Sequence, residues 1–270
     1  MVFIPWISGC RPQTVERPVV LVTVAPQAWI VEALADGLVD VHVLVPPGAH
    51  PGTYTPGHAA MERVSHAEVY LNLGSQFHFE RMWMGRIRDL NPELRVFTSD
   101  EQDRSEDPHL WTGFEGARRL ARTAHRGLAE TLPGRDDVLQ ERLELLLNRI
   151  GAKEAAFRTA LEGQAGKRFY VFHPAWSALA REFGLEQVSI EEHGKEPSAR
   201  RLADLVDQAR RDGVRFILVQ PQFSQQGARA VARAANAEVL FVDPLLADWE
   251  RGMDDLLQAL TQGLVEPHRP

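Results

Sequence analysis

The chain is built from two alternating hydrophobic patterns. Short apolar, β-branched runs recur at "VVLVTV" (19–24), "VHVLV" (41–45), "EVYLNLG" (68–74) and "RVFTS" (95–99). Each precedes a stretch with helical period: "AWIVEALADG", then segments near 59–65, 80–89 and 114–132. Near-continuous apolar strands alternating with helices predict a parallel sheet covered on both faces. The alternation then stops. From Asp136 to Leu161 the apolar residues Leu139, Leu143, Leu146, Ile150, Phe157 and Leu161 lie on one face of a single helix. At 1.5 Å per residue that helix is about 39 Å long, too long for a crossover within one small lobe. Four further β-α units follow, with strands at "RFYVFH" (168–173), "EQVSI" (186–190), "RFILVQ" (215–220) and "EVLFVD" (238–243).

The expected architecture is α/β: two similar lobes, each with a parallel four-stranded sheet flanked by helices, joined by one long helix. The boundaries read as an N-terminal leader and linker (1–16), a first lobe (17–132), the connector (133–165) and a second lobe (166–270). Ligands of open α/β sheets bind beyond the carboxyl ends of the strands, so the cleft between the lobes is the expected site.

Charge and composition narrow the function. The net charge of −7 and the lack of a basic stripe argue against nucleic acid. The chain is expected to be a monomer. One cysteine, Cys10, excludes an internal disulfide. Its context, "MVFIPWISGC", resembles the lipobox of bacterial lipoproteins, which would make Cys10 a lipid anchor. The apolar run before it is about six residues, shorter than the ~7–15 of a full signal core. Sequence signatures of hydrolases, P-loop NTPases, dinucleotide-binding proteins and zincins are absent.

Candidate chemistry sits at the strand ends. His50 follows the second strand, His109 lies in the loop after the fourth, His173 ends the fifth and Asp243 ends the eighth. Imidazoles with one carboxylate suit a tetrahedral Zn²⁺ site. Asp243 has a competing reading as a helix cap ahead of Pro244. His193 and His78, in loops after the sixth and third strands, are alternates for one position.

"RFYVFHPAWSALAREFGLEQVSIEEHGKEPSA", "DPHLW", "VQPQFS" and "VDPLLADW" resemble segments of the metal-binding (zinc/manganese-type) substrate-binding proteins of bacterial ABC transporters. The resemblance spans about residues 17–265 and includes the long connecting helix. It implies an extracytoplasmic or periplasmic protein, free or lipid-anchored through Cys10, that captures a transition metal and passes it to a membrane permease. It implies His109, His173 and Asp243 as ligands. It favours Zn²⁺ over Mn²⁺ or Fe²⁺, since zinc-type members have histidine at the position of His173. The family pattern Pro-Gly-Ala-Asp/Ser-Pro-His-x-Tyr-x-Pro departs here to "PGAHPGTYTP", with Gly52 where the first ligand would stand. His50, two residues earlier, is the expected replacement. Two other functions fit the same residues: a zinc-dependent hydrolase with an open coordination position, and a two-lobed binder of a metal chelate.

Overall fold

The computed structural model describes residues 17–99, 107–191, 198–223 and 225–264. The first lobe contains β1 (Val19–Val22), α1 (Ala25–Ala35), β2 (Asp40–Val43), α2 (His58–His66), β3 (Val69–Asn72), α3 (His78–Leu90), β4 (Arg95–Thr98) and α4 (Phe114–Thr131). The connector is α5 (Asp136–Ala160). The second lobe contains β5 (Arg168–Val171), α6 (Ser177–Glu182), β6 (Glu186–Ser189), α7 (Ala199–Arg211), β7 (Phe216–Val219), α8 (Gln225–Ala235), β8 (Glu238–Phe241) and α9 (Trp249–Leu264).

Both sheets are parallel and share one topology, β2-β1-β3-β4 and β6-β5-β7-β8. The strands that lie inside each sheet, such as β1 and β5, are apolar on both faces because helices cover both sides. Each ladder is shorter than the apolar run that predicts it. The run 168–173 pairs only through Val171, so His173 lies past the end of β5. Asp243 likewise lies past β8, which ends at Phe241.

The helix α5 is continuous through Gly151 and buries Leu139, Leu143, Leu146, Ile150 and Phe157. Burial of that face against both lobes outweighs the ~1 kcal/mol that glycine costs in a helix. One core cluster runs from β1 through α4 and α5 to α9. Phe114 lies at its centre, 5.1 Å from Phe157, 5.9 Å from Phe183 and 6.2 Å from Trp249 between ring centroids. Trp111 Nε1 donates to Pro244 O at 2.6 Å, and Trp249 Nε1 donates to Trp111 O at 2.6 Å. Arg149 pairs with both carboxylate oxygens of Glu250, and Lys153 pairs with Asp254 at 2.7 Å, tying α5 to α9. The lobes therefore meet through a packed, hydrogen-bonded seam, which opposes wide swinging.

Candidate metal centre

His173 is positioned by strand register. Val171 of β5 pairs with Ser189 of β6 and lies beside Leu218 of β7. Two residues on, the same register sets His173 between Glu191 and Gln220. Its Nδ1 lies 2.7 Å from Glu191 Oε1. Gln220 clamps its backbone from the other side, accepting from His173 N at 3.2 Å and donating to His173 O at 2.7 Å. Glu191 is buried, which strengthens the contact of its carboxylate with this ring.

His109 is held by its own loop. Asp107 Oδ1 accepts from His109 N and contacts His109 Nδ1, both at 3.0 Å. Asp107 Oδ2 accepts from Ala178 N at 2.8 Å, so the carboxylate also anchors the loop to the second lobe. Burial, the largest influence on Asp107, favours its neutral form. The bonds from His109 and Ala178 outweigh it and leave its pKa below the usual carboxylate value. Burial lowers the pKa of His109, against the opposing pull of Asp107.

These carboxylates set the tautomers. A ring that donates from Nδ1 keeps its lone pair on Nε2. His109 Nε2 and His173 Nε2 face each other at 3.1 Å, one from each lobe. Two such lone pairs repel unless a cation, proton or metal, lies between them. Two nitrogens on a tetrahedral zinc at 2.0–2.1 Å would be about 3.3 Å apart. The pair is therefore set close to metal-binding geometry.

His50 is nearby but not preset. Its ring centroid is 5.8 Å from that of His173 and 4.6 Å from Phe223. Its Nδ1 accepts from Gly52 N at 3.1 Å, which in a neutral ring puts the proton on Nε2. That proton must move before Nε2 can ligate. Burial, followed by repulsion from His173, lowers its pKa.

His50, His109 and His173 line one cavity of about 330 Å³, together with Phe77, Trp111 and Phe223. His78 lines it too, but its Nδ1 lies 3.1 Å from the Arg81 guanidinium, whose charge disfavours a cation. Asp243 is not among the lining residues, although Pro244 and Leu245 are. Its Oδ1 accepts from Gln222 Nε2 at 2.7 Å and from Leu245 N at 2.9 Å. It closes a local turn, while Asp248 caps the first turn of α9 through Arg251 N. Among the described residues, no three His, Cys, Asp or Glu side chains already converge as an ion-binding group. His193 and Cys10 lie outside the described residues. A hollow of about 380 Å³ at the amino ends of β5 and β7 has no histidine in its lining and is at the wrong end of the sheet for an α/β ligand site.

Glu191, Asp107 and Phe223 were not among the residues that sequence reasoning selected. Asp107 had a signal, since residues i and i+2 of extended chain face one side. Glu191 becomes legible only once β6 is known to neighbour β5. Glu191→Gln is expected to weaken zinc binding about 10- to 100-fold by loosening control of the His173 tautomer. Competition against a chelating dye would measure it, and an unchanged affinity would deny Glu191 that role.

Residues 20–264 match the family described as the periplasmic component A of a zinc-uptake complex, ZnuA. The chain belongs to this family. ZnuA-family proteins are metal-uptake components and not enzymes, which removes the hydrolase reading. The chain is 24% identical to the high-affinity zinc uptake system protein ZnuA of Yersinia pestis, covering 93% of this chain and 91% of that one. It is 22% identical to the zinc-binding lipoprotein AdcA of Streptococcus pneumoniae, matching 84% of this chain and 50% of AdcA, so it spans half the length of that relative. A crystal structure of ZnuA superimposes with a TM-score of 0.87 at 30% identity, covering 92% of this chain and 99% of that one. A zinc-bound deletion mutant of ZnuA also gives 0.87, at 29% identity, covering 93% and 100%. These ZnuA structures confirm the two-lobed α/β fold.

Proposed function

We propose that this chain is the extracytoplasmic zinc-capturing component of an ABC importer, which holds one Zn²⁺ between its lobes and hands it to a membrane permease. The observation that supports it most directly is the facing Nε2 pair of His109 and His173, 3.1 Å apart across the cleft. Each imidazole is backed by a buried carboxylate, the usual support for a zinc-binding histidine. His50 would join as the third donor with its ring still lodged over Gly52, giving up only the hydrogen bond from Gly52 N. Asp243 would complete the set by exchanging its Gln222 bond for the metal. The ZnuA and AdcA relatives, named for zinc uptake and zinc binding, support zinc as the ion. Among the described residues, no helix is long and apolar enough to cross a membrane. The tight seam around Phe114 and Trp249 suits release by small loop movements more than by wide opening.

Acidification should reverse the binding. Histidines ligate only when neutral, and burial lowers the pKa of both His50 and His109. Both rings therefore remain metal-competent at pH 7 and lose competence as pH falls below their ordinary value of about 6.5. Competitive zinc titrations of chelator-treated protein should show tight one-to-one binding at pH 7.5 and a large loss by pH 5. Absence of binding at pH 7.5 would defeat the proposal. The roomy aromatic cavity favours one second reading, capture of zinc already held by a small organic chelate. Tighter binding of a preformed zinc chelate than of free zinc would select it.

A further inference from the structure

We infer that Gly52 is a positioning residue for His50: the missing side chain at position 52 is the space into which the imidazole of residue 50 folds. The inference rests on the reading of His50 as a zinc donor. A Cβ placed on Gly52 would lie 2.7 Å from His50 Cε1 and 3.1 Å from His50 Nδ1. The first distance is closer than real Cβ contacts allow. Gly52 is not among the glycines with positive φ, so its backbone does not require glycine. What the position needs is room.

The atoms in conflict belong to the end of the His50 side chain, which can swing away without moving backbone. Alanine at position 52 would therefore leave the loop folded and push the imidazole out of its place beside His173 and Phe223. A longer side chain grown from position 52 would start within the volume the His50 ring fills. Positions 50 and 52 are thus alternative anchors for one imidazole, and the two cannot both be occupied.

Zinc dissociation constants for the wild type, His50→Ala, Gly52→Ala, the double His50→Ala/Gly52→Ala and the exchange His50→Ala/Gly52→His test this. His50→Ala and Gly52→Ala should each weaken binding by about tenfold or more, the scale on which mispositioned metal-site groups act. The double alanine variant should be no weaker than His50→Ala, because Gly52 acts only through that ring. The exchange should regain most of the affinity, which a merely structural role for Gly52 would not produce. Melting points of the chelator-treated Gly52→Ala protein and wild type should coincide. Wild-type affinity in Gly52→Ala, additive losses in the double variant, or no recovery in the exchange would each overturn the inference. Wild-type affinity in His50→Ala would overturn it as well, while leaving the His109–His173 site standing. Loss of zinc binding from the wild type itself would instead mark failure of the functional reading.

Discussion

His109→Ala and His173→Ala should each remove most of the thermal stabilisation that zinc confers. A ligand present at a thousandfold excess over its dissociation constant stabilises the folded state by about 4 kcal/mol. Each variant deletes one of the two nitrogens that face each other at 3.1 Å. Supporting groups alone are worth about 10- to 100-fold in affinity, so a deleted donor should cost at least the upper figure. At the same zinc concentration a hundredfold loss leaves about 1.4 kcal/mol. A chain of this size shifts by about 2–4 °C per kcal/mol. Calorimetry should therefore show a zinc-induced rise of about 8–16 °C in wild type, reduced to about 3–6 °C in either variant. Equal rises in all three proteins would mean that this pair does not hold the ion.

Glu80→Gln should change how stability depends on pH. Glu80 is buried, and its Oε1 accepts from Thr23 Oγ1 at 2.5 Å, Leu73 N at 3.0 Å and Tyr70 OH at 3.4 Å. Its Oε2 is buried without a hydrogen-bond partner among the described residues. Burial raises its pKa from 4.5 to about 7, against the pull of the Thr23 and Leu73 bonds. A raised folded pKa means that the folded state holds the proton between 4.5 and 7 while the unfolded chain has released it. The associated stability is fully present below 4.5 and is lost as pH rises through about 7. The shift corresponds to about 3 kcal/mol. Glutamine does not titrate, so the stability difference between wild type and Glu80→Gln should move by about that amount from pH 4.5 to pH 8, in favour of glutamine. Urea denaturation at several pH values measures it. A difference that stays constant with pH would show that the ionised carboxylate is accommodated.

Residues of this site and core show where sequence reasoning stops. His173 was legible as the last residue of an apolar run, and the structure places it two residues past the end of β5. Its partner Glu191 is 18 residues away, and nothing local links the two. The missing fact was strand order, which joins β6 to β5 and matches Val171 with Ser189. Asp243 had two local readings, ligand or helix cap. The structure adds a third feature, bonds to Gln222 and Leu245, which depends on the neighbouring β7 loop. The buried state of Glu80 had no local signal, because α3 reads as an amphipathic helix and only the fold shows which of its polar residues turns inward.

From its own text, the chain determined the eight strands found among the described residues, the long α5 helix and the loops that bear histidine. Hydrophobic periodicity and strand ends are local properties, set by neighbours a few residues apart. Tertiary structure alone decided that the Nε2 atoms of His109 and His173 face each other at 3.1 Å, although 64 residues separate them, and that Glu191 backs the His173 ring. It also decided that the ring of His50 lies over Gly52, with its Nδ1 turned to that backbone. The His109–His173 and His173–Glu191 distances are set by lobe packing and sheet register, and the His50 ring pose by loop conformation; no pattern along a single strand or helix encodes them.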